Sequence, residues 1–379
     1  MVPDYDLLRV IWWALLGILL IGFAVLDGYD LGTAMLLPFV GRTNDERRQV
    51  RETIEPTWEG HQVWFILGGG AAFAAWPLLY AASFSGFYIA MFLVLLALIL
   101  RPVGFNFRDK IAGLRWRALW DWTLSIGGFV PSLVFGVAFG NLLLGVPFAL
   151  DGDLRPDYAG TFFGLLNPFG LLAGLISVAM LVMHGGTWLT LKADGAVAER
   201  AACVARPAGL ITAGLFALAG LWIAFGIEGY AVSGALDHSG PSNPLAKTVL
   251  REAGAWINNY GIHPWLIAAP VLGLAGSAFV SLLTMRRAAR AAFVASAVAV
   301  AGIIATAGVS LFPFLLPSST HPSASLTVWD ASSSRLTLFI MLVAVVVFLP
   351  VVLAYTGFVL RVMRGRVRLA DVERHEALY

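Results

Sequence analysis

Two acids, Asp27 and Asp30, stand in the stretch GFAVLDGYDLG (residues 22–32), inside a run that is otherwise apolar. Three residues apart, they share one face of a helix. A second stretch, PTWEGHQVWF (56–65), sets Glu59 and His61 at the start of another apolar run, and Arg101 closes a third. An ionisable group at membrane depth is costly and usually faces a protein interior or a wet cavity. There a carboxylate can hold a proton, because desolvation disfavours its charged form. A row of such acids opening to one side is the chemistry of a proton-uptake path. The same residues also allow a plainer arrangement, in which Asp27 and Asp30 mark a helix exit and pair with Arg101 or Arg42.

The six histidines are His61, His184, His238, His263, His321 and His375, and none forms an HxxxH pair. His61 and His184 belong near one membrane face on different helices, where two such residues could ligate one haem. The alternative is that each is an interfacial or hydrogen-bonded histidine. The single cysteine, Cys203, rules out an internal disulfide and a thiolate cluster.

These residues must be positioned by membrane helices. Of 379 residues, 59% are hydrophobic and 13% charged, against about a quarter charged in soluble domains. Apolar windows long enough to span a bilayer recur along the chain. They predict nine helices, at about 9–28, 60–81, 83–101, 119–145, 162–188, 207–227, 262–285, 289–314 and 336–361. Helices satisfy their own backbone in lipid, and the runs lack the alternation of a β-barrel. The N-terminus lacks a basic start and a cleavage site, so the first run reads as a retained span. The net charge of +2 gives no electrostatic basis for binding nucleic acid.

Twenty of the 25 Lys and Arg residues fall in one alternate set of connections, including Arg42, Arg108, Arg200, Arg286 and Arg364. The positive-inside rule places that set in the cytoplasm, with the N-terminus outside and the C-terminus inside. An odd number of spans follows. Two longer outer connections, about 228–261 and 315–335, are rich in Gly, Pro and Ser and read as irregular. GGG at 68–70 and Gly127–Gly128 allow close helix approach, and Trp76–Pro77 predicts a kink. The 13 Trp residues read mainly as interfacial anchors or packing, with a tryptophan-lined quinone site left open.

The ordered series RVIWWALLGILLIGFAVLDGYDLG, PTWEGHQVWFILGGGAAFAAWPLLYAASFSGFY, RPVGFNFRDK, WRALWDW, GVAFGNLLLGVPF, LLNPFGLLAG, REAGAW and FPFLLPSSTHPSASLTVWDASSS resembles subunit II of the cytochrome bd-type quinol oxidases almost end to end, in its longer form. The resemblance implies a bacterial inner-membrane complex that oxidises quinol and reduces dioxygen to water without pumping. Its protons for water come from the cytoplasm. It implies that haems b and d, and the quinol-oxidising loop, belong to subunit I, with a small single-helix accessory subunit as a further partner. Subunit II would form two four-helix bundles (residues 1–160 and 161–315) and an extra helix (336–361), and could hold a structural quinone.

By the same resemblance Glu59 matches an acid of a proton path toward the haems. It is a glutamate where many members carry aspartate, so the carboxylate is kept on a longer arm. Asp27 matches the first-helix acid, with Asp30 beside it. Trp64 matches a tryptophan near the mouth of a dioxygen tunnel. Trp58, Arg101 and Asp330 are carried as motif members with structural roles. Two other classes compete, a proton-coupled secondary transporter and a pure assembly scaffold. A transporter predicts inverted repeats and broken midplane helices, and the sequence displays neither.

Overall fold

The structure is a computed structural model that describes residues 3–234 and 236–376, with side chains through Val372, so the side chains of Arg374 and His375 lie outside it. Helices dominate. In order they are α1 (Tyr5–Val40), α2 (Asn44–Glu52), α3 (Trp58–Ala75), α4 (Pro77–Gly86), α5 (Tyr88–Phe107), α6 (Leu114–Leu144) and α7 (Pro168–Lys192). There follow α8 (Gly195–Gly226), the short α9 (Asn258–Ile262), α10 (Ala268–Met285), α11 (Ala289–Leu311), α12 (Arg335–Val362) and α13 (Leu369–Glu376). Among the described residues eight are long and apolar enough to cross a membrane: α1, α5, α6, α7, α8, α10 with its preceding turn, α11 and α12.

Four differences from the sequence expectation have physical causes. First, α1 does not stop at residue 28 but runs 36 residues, because TAMLLPFV continues the apolar helical pattern. At 1.5 Å per residue it is about 54 Å long, beyond a bilayer core of about 30 Å. Asp27 and Asp30 therefore lie inside the helix rather than at its exit. Second, the expected span 60–81 is broken into α3 and α4. Pro77 has no N–H and drives Trp76 out of the helical region, to φ −136° and ψ 78°.

Third, the charged segment after α1 folds as α2. Its start is a capping box, with Thr43 and Glu46 exchanging side-chain and backbone bonds. Fourth, the connections opposite the basic end are not wholly irregular. They contain antiparallel pairs of β1 (Phe148–Leu150) with β2 (Pro156–Tyr158), β3 (Glu228–Ser233) with β4 (Thr248–Ala253), and β5 (Phe314–Leu316) with β6 (Leu326–Thr327). Tyr, Val and Thr in the β3 and β4 segments suit a pleated surface.

α1 is the central helix, packed on α3, α6, α7 and α11, and α12 lies at the margin with Leu338 as its buried residue. Glycines set the closest crossing. A Cβ on Gly32 would stand 1.9 Å from the Leu181 carbonyl oxygen, and one on Gly185 would stand 2.3 Å from the Gly32 backbone. Backbone contact of this kind replaces the hydrophobic drive that lipid removes.

The basic end is locked by α2. Arg47 and Arg108 both bind Asp121, Arg51 binds Asp109, and Arg200 binds Glu46. The Arg200 guanidinium, helped by the backbone N–H groups of Arg42 and Thr43, outweighs burial and holds Glu46 down at about 2. At the other end Arg9, fully buried, donates to the carbonyls of His238 and Gly240 and to Ser242 and Ser332, tying two connections to α1.

Gly32→Ala or Gly185→Ala should cost about 1–3 kcal/mol or more through overpacking. Each should lower the melting temperature of the purified complex, while Gly214→Ala, with open space around it, should not. Equal melting curves for all three would show that the crossing can relax. Because Glu46's pKa is depressed, its stabilisation is complete above the usual carboxylate value and fades as pH falls toward about 2. Thermal melts of Glu46→Gln should therefore show a deficit at pH 7 that shrinks below about pH 4, and a deficit independent of pH would contradict the pairing.

Candidate functional site

The half of α1 toward the basic end carries Asp27 and Asp30. Asp27 and Arg101 are both 0% exposed. Arg101 Nη1 donates to both carboxylate oxygens and Nη2 to Oδ1, each at 3.1 Å, and the guanidinium lies 5.6 Å from the centre of the Trp58 ring. This fork–fork geometry is the strong form of an ion pair. It joins α1 to α5, with Trp58 of α3 beside it. Arg42 does not take part and is exposed near the start of α2.

One turn on, Asp30 meets a different partner. Its Oδ2 is 2.7 Å from His61 Nδ1, and His61 Nε2 is 3.3 Å from the Tyr29 hydroxyl. With Asp30 ionised, Nδ1–H donates to it and Nε2 accepts the phenol proton. Tyr29 also stacks on Trp188 at 4.0 Å. Asp30 Oδ1 and Thr33 Oγ1 are buried with no hydrogen-bond partner among the described residues.

His184 is fully buried and engaged at both nitrogens, with Ser296 Oγ at 2.7 Å and the Val25 carbonyl at 2.9 Å. His61 and His184 thus have no free nitrogen for iron, and a haem does not fit between them. His238 stacks on Trp329, and no cluster of three or more metal-ligating side chains occurs among the described residues.

The remaining sequence-predicted residues are separated. Glu59 is exposed on α3, whereas His61, two residues on, is buried. Two residues turn a helix by about 200°, so they face opposite ways. Trp64 is 5% exposed and presses its indole on Gly22 of α1. Asp330 lies at the far end, 2.8 Å from Lys247 and accepting the Thr327 N–H at 2.9 Å. The structure therefore joins Asp27, Arg101 and Trp58, joins Asp30 and His61, and leaves Glu59, Trp64 and Asp330 apart from both groups.

A cavity of about 610 Å³ lies among α1, α6, α7, α8, α10 and α11. Its walls include Phe23, Phe135, Phe169, Leu181 and Ile303, with Tyr260 and Ser310 as rare polar groups. Such a space suits an apolar ligand with few polar anchors. Sequence reading missed it because its lining comes from segments far apart in the chain, among them Phe65 of α3 and Tyr260 of α9.

Residues 8–363 match the sequence model of the cytochrome bd terminal oxidase subunit II family. The chain is 53% identical over 372 residues to cytochrome bd-I ubiquinol oxidase subunit 2 of Escherichia coli K12, covering 98% of each chain. It is 48% identical over 373 residues to the probable cytochrome oxidase subunit 2 of Haemophilus influenzae, again covering 98% of each. The chain belongs to the cytochrome bd terminal oxidase subunit II family. The bd oxidase structure from Geobacillus thermodenitrificans shares its fold, with a TM-score of 0.68 at 16% identity, over 94% of this chain and 98% of that one. As a subunit II, this chain is a multi-pass membrane component of an oxidoreductase complex that uses haems, and it implies a subunit I.

Removing one member of the buried pair leaves the other charge uncompensated in a dry setting. Asp27→Asn or Arg101→Gln alone should cost about 3–5 kcal/mol, read as loss of assembled complex on gel filtration. The double variant should recover part of that loss. Full assembly of each single variant would mean that the pair is not needed to hold α1 on α5.

Proposed function

We propose that this subunit II is the non-haem-ligating half of a quinol:oxygen oxidoreductase and that it supplies a proton route from the basic end. The observation that carries this is the engagement of both ring nitrogens in His61 and in His184. With those imidazoles taken, haems b and d belong on subunit I, where they supply electron transfer and oxygen reduction. What this chain offers that chemistry is held charge, protons and apolar space.

In this reading the acids divide their roles. Asp27, held by three hydrogen bonds from Arg101, fixes the position of Arg101 beside Trp58. Asp30 with His61 is the hydrogen-bonded pair that this route would use, and Asp30 Oδ1 has no partner among the described residues. Glu59 heads an exposed stripe of α3 that continues through Val63, Ile66, Gly70 and Phe73. That stripe suits the surface of subunit I, and in this reading Glu59 is where a proton crosses to the partner. Glutamate's reach favours this role.

The basic end faces the cytoplasm by the positive-inside rule. Nine spans then follow if α3 and α4 cross together as one broken span, giving the two four-helix bundles with α12 outside them. Trp64, beside the apolar helices, would border dioxygen access. The large cavity fits an isoprenoid quinone held structurally, with Tyr260 and Ser310 at its polar end. A small single-helix accessory subunit completes the set of expected partners.

Glu59→Gln should slow steady-state oxygen consumption by about tenfold or more, the scale of losing a positioned proton donor, with haem content intact. Normal turnover with normal assembly would remove Glu59 from the path.

A further inference from the structure

The arginines at the basic end fall into two classes. Arg47, Arg51, Arg108 and Arg200 are spent on carboxylates within the chain. Arg206, Arg286, Arg287 and Arg290 are all exposed, and none has a carboxylate within ion-pair reach among the described residues. Sequence places Arg286 and Arg287 in the turn after α10 and Arg290 in the first turn of α11. Arg206 joins them through packing. α8 and α10 meet so closely at Gly209 that a Cβ there would stand 2.6 Å from the Ser277 carbonyl oxygen. One turn along, Ser281 Oγ donates to the Arg206 carbonyl at 2.6 Å.

This contact also fixes a depth. Arg206 is level with Ser281, five residues before Arg286, which puts its backbone about 7–8 Å further toward the middle of the bilayer. The four cations therefore span the thickness of a headgroup layer rather than forming a flat patch. The surface between and below them is apolar, with Leu282 and Met285 exposed at their level and Phe279 and Leu210 exposed beneath. The turn itself holds Arg287 at φ 56°, in the left-handed region that glycine would occupy more easily. An arginine kept there in place of glycine adds a charge at the cost of backbone strain.

We infer that the corner of α8, α10 and α11 is a binding site for an anionic glycerophospholipid of the leaflet at the basic end. Its phosphate sits among Arg206, Arg286, Arg287 and Arg290, and its acyl chains lie along Leu210 and Phe279. Basic recesses between membrane helices are suited to such headgroups, and guanidinium forks match phosphate oxygens. A free phosphate would use the cations but not the apolar strip beneath them, so the lipid is the occupant that uses both. The site lies on helices apart from Glu59 and the Asp27 and Asp30 pairs, and it does not depend on the proton reading.

The test is native mass spectrometry of the delipidated complex, titrated with phosphatidylglycerol or phosphatidylcholine. Binding to the wild type should favour phosphatidylglycerol at least tenfold. Arg206→Gln with Arg290→Gln should remove most of that preference, while Arg115→Gln with Arg117→Gln, elsewhere at the basic end, should keep it. If the double variant fails to assemble, Arg290→Gln alone, at the exposed turn, should weaken phosphatidylglycerol binding at least threefold. Millimolar inorganic phosphate should not displace the lipid from the wild type. Equal binding of the two lipids, an unchanged preference in the corner variants, or displacement by phosphate alone would each overturn the assignment.

Discussion

A charge beneath the lipid surface needs a partner or water, and this requirement organises the half of the subunit toward its basic end. Asp27 has Arg101, and Asp30 has His61. Each pair reaches from α1 to a different helix, so the two pairs act as bolts that set where α3 and α5 sit around the central helix. The glycine crossing of α1 with α7 does the same by shape rather than charge. Buried ion pairs are weak evidence of net stability, since desolvation offsets much of the attraction. Their stronger consequence here is specificity of helix placement, because a rotated or shifted α5 would strand two unpaired charges.

The same requirement separates the functional readings. His61 and His184 are both engaged at both ring nitrogens, which is the ground for the proposal that the haems sit on the partner. An acid left outside the bolts, such as Glu59, is free to face that partner. The division between locked and free ionisable groups makes a proton role for this chain physically reasonable without any cofactor of its own. A transporter would need carboxylates that exchange partners at the midplane, and Asp27, gripped by three hydrogen bonds, is poorly suited to that.

Depth was legible in the sequence, and azimuth was not. Counting along apolar runs brought Asp27, Asp30, His61 and Arg101 to one level, and the structure pairs them there. It could not choose Arg101 over Arg42, nor see that Glu59 and His61 point opposite ways, because rotation about α3 is set by packing with α1. The extension of α1 to Val40 was missed because the acids resembled an exit, although paired acids do not end a helix. The kink at Trp76–Pro77 was legible because proline acts through its own backbone, but not that it divides the span into α3 and α4. The β-hairpins, the clasp of α2 and the apolar cavity were not, since each depends on segments far apart in the chain.

The central claim is that the basic end, with its acids behind it, meets the cytoplasm. The direct measurement is modification of an Arg42→Cys variant, in a Cys203→Ser background, by a membrane-impermeant maleimide. Sealed, right-side-out cells should show no labelling and inverted vesicles should label fully. Labelling from the outside of sealed cells would place the acids toward the wrong compartment and contradict the account.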